Sequence, residues 1–372
     1  EKTVVVQVAP AVRTAWGEAL GLPPEEAAVG KILGFLKRLG ADYVFDTSFS
    51  ADLTIMEEGT EVLSRLTKGE LDQLPMFTSC CPGWIRFAKT KFPQLIPQLS
   101  TAKSPQQMFG AVTKSYFAEA IAVKPEDIVS VSIMPCVAKK GERNMKLYYG
   151  EYEGNDVDIS LTTRELSRLI RASHIKPSSL EDYPGDHLMG KWTGAGVIFG
   201  ATGGVMEAAL RSAYYLVTGE NPAPDAFRAV RSSGFNENDG VQEAEITIGD
   251  RTIRAGVVSG LGNARRLIEA VLRGEVHYDF VEVMACPGGC VGGGGQPIHD
   301  GEEWAFERGK NLYFIDEHVP LRYSHENPDV QKLYEDYLGK PNEGKAHLLL
   351  HTDHNLWDMC TVQEPERIKD FQ

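Results

Sequence analysis

Five of the six cysteines in this 372-residue chain lie in three short loops that carry glycine or proline. The first loop reads Thr78-Ser79-Cys80-Cys81-Pro82-Gly83-Trp84 and the second Met134-Pro135-Cys136-Val137-Ala138-Lys139-Lys140-Gly141-Glu142. The third reads Cys286-Pro287-Gly288-Gly289-Cys290, then Gly292 to Gly295, Gln296 and Pro297. So few cysteines do not staple a chain of this length, so their placement points to metal or redox chemistry. Soft thiolates select iron–sulfur, zinc or copper(I), and a cubane cluster takes four of them. Cys286 and Cys290 are spaced C-x₃-C, whereas zinc ribbons use C-x₂-C. The neighbours Cys80 and Cys81 point in different directions. One of that pair, with Cys136, Cys286 and Cys290, makes four ligands, and the other stays beside the metal without binding it. A lone cysteine is ordinarily a buried structural thiol. Five in three such loops have no structural reason to gather there.

The elements that must position these loops follow from the apolar periodicity. Val4–Val8 reads as a buried strand and Tyr43–Asp46 as a second short one. Val29, Ile32, Leu33 and Leu36 keep helical spacing up to Gly40. Ser50 or Asp52 is expected to cap a helix running through Glu57, Glu58, Glu61 and Arg65. Thr162 to Glu165 is a capping box opening a helix toward Ser173, Val205–Val217 is another helix, and Glu243–Ile248 with Thr252–Val258 form a hairpin around Gly249-Asp250. Each cysteine loop follows an apolar run, the place where open α/β sheets bind ligands. The expected fold class is therefore α/β with largely parallel sheets. The Gly194–Gly200 stretch has the wrong glycine spacing for a dinucleotide fold and reads as a tight backbone passage.

Composition sets the outer limits. Lys and Arg number 38 against 52 Asp and Glu, a net charge of −14, which opposes general nucleic-acid binding. No apolar run approaches the roughly 18 residues of a membrane span. The chain begins at Glu1 rather than Met and enters a strand at once, so a processed form or a fragment is expected.

The three cysteine loops, the third read from Glu282-Val283-Met284-Ala285 onward, resemble the three signatures of [FeFe]-hydrogenases in the family's order. The likeness runs from Ala9-Pro10-Ala11 to Tyr323-Ser324-His325-Glu326-Asn327-Pro328. It implies two lobes of mixed or parallel β-sheet flanked by helices, with the metal cluster in the cleft between them. The expected organisation is one catalytic domain over residues 1–372 with a C-terminal tail from about 320, and no N-terminal ferredoxin-like modules in this chain. The implied cofactor is the H-cluster, a [4Fe-4S] cubane joined to a two-iron unit carrying CO, CN and azadithiolate. By position, Cys81, Cys136, Cys286 and Cys290 would hold the cubane, with Cys290 bridging to the two irons, and Cys80 would be the spare thiol that shuttles protons. Lys139 matches the partner of a cyanide. Ala9, Pro10, Ala11, Ser104, Gln106, Phe199 and Gly200 match positions lining the two-iron unit, joined by Met134, Pro135 and Met284 beside the ligand cysteines. Where this chain has Ala11 the family often has Ser, so one hydrogen bond to cyanide is expected to be missing.

A buried site needs a proton route with each step in hydrogen-bond reach. Glu58 and Glu61 share one helix face, with Arg65 four residues on, and they match the family's relay from Cys80 through Glu58, Ser100 and Glu61 to the surface near Arg65. Glu142 matches a motif acid without an assigned role. His351 and His354 read as a satisfied or exposed pair near the tail rather than a metal site.

The implied activity is hydrogenase, the reversible interconversion of H₂ with protons and electrons. The alternatives are a sensory hydrogenase-like protein or a cubane-only iron–sulfur assembly protein of the same family. The implied partners are ferredoxin, flavodoxin or an electron-transfer subunit, and maturases for the two-iron unit. The expected location is the cytoplasm, with the periplasm as alternative.

Overall fold

The computed structural model describes residues 2–23, 26–69, 74–144, 154–231 and 240–356. Cys360, at the end of the sequence, lies outside them. Among the described residues, eight strands form two four-stranded sheets. They are β1 (Thr3–Val8), β2 (Tyr43–Asp46), β3 (Met76–Phe77), β4 (Ile128–Met134), β5 (Ile159–Thr162), β6 (Val241–Ile248), β7 (Arg251–Ser259) and β8 (Phe280–Met284). The first sheet has the order β2-β1-β4-β5 and the second β3-β8-β7-β6. All pairings are parallel except the β6–β7 hairpin. Parallel sheets must be covered on both faces, so β1, β4 and β8 are buried and Val-rich, and the polar residues they carry, Gln7, Ser130, Ser132 and Glu282, are buried with them.

The helix α1 (Val29–Arg38) covers the first sheet with Ile32, Leu33, Phe35 and Leu36. The longest helix, α2 (Ser48–Lys68), belongs to both lobes. Its Phe49 and Leu53 enter one core with Phe109 and Phe117, while Ala51, Ile55 and Val62 enter the core built on the second sheet. Burying each such side chain contributes roughly 1.5–3 kcal/mol. A helix used on two faces has no room for a solvated stripe, so its acidic residues are carried inside. It stops at Gly69, whose positive φ of 70° lets its N–H close on the Arg65 carbonyl.

The expected cap of α2 is corrected. Ser50 and Asp52 lie within the helix, because the Asp46 carboxylate accepts the Ser48 N–H at 2.8 Å and starts it earlier. Asp52 instead accepts from Thr193 N–H and hydroxyl at 2.9 and 2.6 Å, clamping the short helix Gly194–Ile198 onto α2. That helix is the glycine passage expected from the sequence, since a Cβ on Gly196 would lie 2.4 Å from the Ser48 carbonyl. The capping box at Thr162–Glu165 and the helix over 204–218 are present as read.

Beyond residue 320, short helices at Pro328–Leu333 and Gly344–Leu350 return to the first lobe and fill its core with Val330, Leu333, Leu349 and Leu350. Among the described residues, no helix is long and apolar enough to cross a membrane.

Candidate metal centre

Each cysteine loop leaves the carboxyl end of a strand: Cys80 and Cys81 after β3, Cys136 after β4, and Cys286 and Cys290 after β8. One loop therefore comes from the first sheet and two from the second. The five thiols are unpaired; Cys80 is buried and the other four are half-buried. Cys81, Cys136, Cys286 and Cys290 are close enough to act on one another electrostatically. Burial comes first and the neighbouring thiolates follow, taking Cys136 to about 12 and lifting Cys286 and Cys290 as well. Thiols that suppress each other's ionisation are a donor set awaiting positive charge, because metal ligation requires the thiolate form. Among the described residues, no three Cys, His, Asp or Glu side chains converge on a single ion position. A donor set spread around a space suits a multi-atom cluster better than one zinc ion.

Beside the donor set lies a cavity with about 610 Å³ of empty volume, its mouth included, which Cys286 does not line. It is lined by Cys80, Cys81, Cys136 and Cys290, and by Ala9, Pro10, Ala11, Gln106, Met134, Pro135, Lys139, Phe199, Gly200 and Met284. The expected pocket residues thus come together, except Ser104, which stands one layer behind the wall. The glycines of the third loop let it interlock with its neighbours. Gly289 has φ +92°, and an added Cβ would lie 2.7 Å from Thr202 N. At Gly293 a Cβ would lie 2.3 Å from the Pro135 carbonyl, which accepts the Gly295 N–H at 2.7 Å. Gly293→Ala is therefore expected to push the second and third loops apart. It should cost about 1–3 kcal/mol in thermal or denaturant unfolding and lower the iron bound per chain. Wild-type stability with full iron content would contradict the close approach.

The polar wall centres on Glu142. This buried carboxylate accepts from Lys139 Nζ at 2.9 and 3.1 Å, Ser104 Oγ at 2.9 Å and Gln106 Nε2 at 2.8 Å. Lys139 Nζ also donates to the Cys80 carbonyl at 3.0 Å. Its pKa is raised: burial opposes the rise, and the Glu142 charge overcomes it. Lys139 is thus a charged side chain at the cavity wall, its Nζ within hydrogen-bond distance of the Cys80 carbonyl and both Glu142 carboxylate oxygens. A buried ion pair of this kind fixes geometry more than it stabilises. Glu142, matched as a motif acid but left without a role by the sequence, is the organising residue of this wall, and its i, i+3 spacing from Lys139 was the signal for that role.

Cys80 is held well above the ordinary thiol range, by burial first and then by the nearby charge of Glu58. Glu58 is fully buried, and neither carboxylate oxygen finds a hydrogen-bond partner of normal geometry. Burial and then the charge of Glu61 push it up to about 8, with the Ser100 hydroxyl and Ser79 N–H nearby tempering the rise. Ser100 Oγ donates to Glu61 Oε2 at 2.8 Å. Glu61 also accepts from Thr101 N–H and hydroxyl and from Arg65 at 2.6 Å. Burial opposes ionisation of Glu61, but Arg65 outweighs it and holds the pKa low. A neutral inner acid therefore stands next to an ionised outer carboxylate, the asymmetry a proton relay needs. Of the two tail histidines expected to be satisfied or exposed, both are buried; His351 is hydrogen-bonded through both ring nitrogens, and His354 through Nε2 to the Ser100 carbonyl while its Nδ1 has no partner.

Two α/β lobes with a thiol-ringed cleft between them define an iron–sulfur type of protein. The sequence pattern of the "Iron only hydrogenase large subunit, C-terminal domain" matches residues 2–294, and that of the "Iron hydrogenase small subunit" matches residues 303–356. The chain belongs to the iron-only hydrogenase large-subunit family. It is 50% identical over 358 residues, 95% of its length, to the NADP-reducing hydrogenase subunit HndD of Solidesulfovibrio fructosivorans. A solved variant of the [FeFe]-hydrogenase HydA1 from Chlamydomonas reinhardtii superposes with a TM-score of 0.83 at 44% identity, covering 94% of this chain and 93% of that one. More distantly, the cytosolic iron–sulfur assembly component 3 of Mus musculus is 32% identical over 95% of this chain and 75% of its own length. The chain spans about three fifths of the length of HndD and of a second hydrogenase relative.

Proposed function

We propose that this chain is the catalytic part of an [FeFe]-hydrogenase, interconverting H₂ with two protons and two electrons. The observation that carries the reading is the union of two features in one cleft. Cys81, Cys136 and Cys290 line a cavity with Cys286 close enough to act on them, and a fifth thiol, Cys80, lies on the cavity wall near a buried acid. In this reading Cys81, Cys136, Cys286 and Cys290 hold a [4Fe-4S] cluster, and the cavity beside Cys290 takes the two-iron unit. Bound there, the H-cluster would supply an open iron position, a basic amine and the route for electrons.

The rest falls to the chain. Met134, Phe199 and Met284 keep the cavity apolar and water out of it. Lys139, locked by Glu142, places positive charge beside the cyanides, and Gln106, bonded to Ser132 at 2.7 Å and to Glu142, adds a fixed amide. Cys80 exchanges protons with the cavity, Glu58 with Cys80, and Ser100 connects Glu58 to Glu61. Electrons would pass between the half-buried Cys136 and Cys286 edge and a ferredoxin, a flavodoxin or a partner subunit.

The test is infrared spectroscopy of the protein after maturation, followed by hydrogen evolution with reduced methyl viologen. Carbonyl and cyanide bands with rapid evolution are the expected result. Bands without turnover would favour a sensor. Iron–sulfur absorption with no such bands would favour an assembly protein like the mouse relative.

A further inference from the structure

The outer end of the relay is not explained by Arg65. A guanidinium is permanently charged and cannot release a proton, so it cannot exchange protons between Glu61 and water. The end of the chain supplies a group that can. His351 is buried, and its Nδ1 lies 2.7 Å from Thr101 Oγ1. That hydroxyl donates to Glu61 Oε1 at 3.1 Å. With the Thr101 proton directed at the carboxylate, the hydroxyl oxygen is left to accept from His351 Nδ1–H, which is the tautomer a relay through Thr101 requires. On its other side His351 Nε2 lies 2.9 Å from Glu57 Oε2. Glu57 also accepts from the Tyr334 hydroxyl and from Asn342 N–H at 2.7 Å, so it is held in place as a counter-charge. The ring of His347, which is exposed, stacks on His351 at 4.8 Å and 11°. Arg65, Thr101, His347, His351 and His354 all line one open cavity at the surface.

Resting on the hydrogenase reading above, we propose that His351 is the outer proton-carrying residue of the relay, delivering to Glu61 through the Thr101 hydroxyl. In the inward step the His351 Nδ1–H bond breaks as a new O–H forms on Thr101. The original Thr101 O–H breaks as Glu61 becomes a carboxylic acid. An imidazolium and a carboxylate thus become a neutral imidazole and a neutral acid. The neutral ring then turns its bare Nδ1 from Thr101 to the water of the surface cavity, takes a proton there and turns back, and the reverse sequence releases protons during H₂ oxidation. The charged or titratable groups around the ring are Glu57, Glu61 and Arg65 from α2, Tyr334, and His347, Asp353 and His354 from the tail. Lys89 reaches the His354 carbonyl from Pro82–Lys91.

The experiment has a cluster-free arm and a loaded arm. In cluster-free protein, titration of His351 followed by NMR should shift the carboxyl stretch of Glu61 in wild type and in Thr101→Ser, but not in Thr101→Val. In matured enzyme, His351→Gln keeps the hydrogen-bond geometry without a titrating group. It should slow viologen-driven evolution about tenfold, less than the hundredfold of a lost inner acid, because water still reaches Glu61 slowly. It should also remove one limb of the pH profile. His351→Ala should regain rate with added imidazole, which a purely structural role would not allow. Should the alanine variant fail to fold, His351→Gln and Thr101→Val carry the test. Wild-type rates and pH profiles in both would overturn the proposal, as would a Glu61 band indifferent to His351 titration. An inactive wild type would count against the hydrogenase reading instead, and the cluster-free arm would still decide this one.

Discussion

Cys80→Ser is expected to retain the carbonyl and cyanide bands while turnover falls at least about a hundredfold, the usual scale for a lost proton-transfer group. The thiol is buried between the cavity and Glu58, and it is the one thiol of the five not counted among the four ligands. Serine fills nearly the same space and can accept or donate the same hydrogen bonds. Its hydroxyl is a far weaker acid, so each proton passing through it must climb a higher barrier. The pairing of intact bands with lost turnover is the informative result. Loss of the bands would make Cys80 a ligand, and near-normal turnover would remove it from the relay.

Glu58→Gln is expected to act in two opposite directions. Turnover should again fall about a hundredfold or more, because the amide cannot pass a proton between Cys80 and Ser100. Stability should rise in alkaline solution. The native carboxyl has a pKa of about 8 against 4.5 for a glutamate in water, so the folded state holds a proton that the unfolded chain has already released. Between roughly pH 4.5 and 8 the unfolded state binds fewer protons, and stability therefore falls as pH rises through this window. Each tenfold difference in proton affinity is worth about 1.4 kcal/mol, so the loss approaches about 5 kcal/mol above pH 8, as an upper bound. Melting curves of the cluster-free protein at pH 6 and pH 9 should converge in the glutamine variant relative to wild type. Residual dependence is expected from Glu282 and Asp52, whose burial raises them to about 7 and about 6. An unchanged pH dependence would mean that Glu58 is already ionised in the folded protein. A buried acid without a hydrogen bond of normal geometry is a cost the fold carries, and costs of this kind are typical of functional positions.

Much of the architecture is legible because its signals are local. The Val-rich runs of β1, β4 and β8, the capping box at Thr162–Glu165 and the glycine-terminated helices each depend on a few adjacent residues. The start of α2 is not legible, because its capping side chain, Asp46, sits at the end of the preceding strand. Asp52 looks like a cap only because its true partners, Thr193, Ser324 and Asn327, lie far away in sequence. Glu57, Glu58 and Glu61 look like an ordinary solvated face. Only the packing of α2 between two cores turns that face inward.

The cysteine loops carry their chemistry in sequence, since four soft donors amid glycines need no distant information to be recognised as a ligand set. Their order along the chain also separates three loops that a sheet must bring together. What the linear sequence could not hold is the electrostatics. Whether a carboxyl is neutral like Glu58 or ionised like Glu61 depends on how much water is removed and which charge stands opposite it. Glu142 locking Lys139, and His351 reaching Thr101 from 250 residues away, exist only once the lobes close and the tail returns. Residue type fixed which atoms are available for the chemistry. Tertiary burial decided which of them are charged and which can pass a proton to the next.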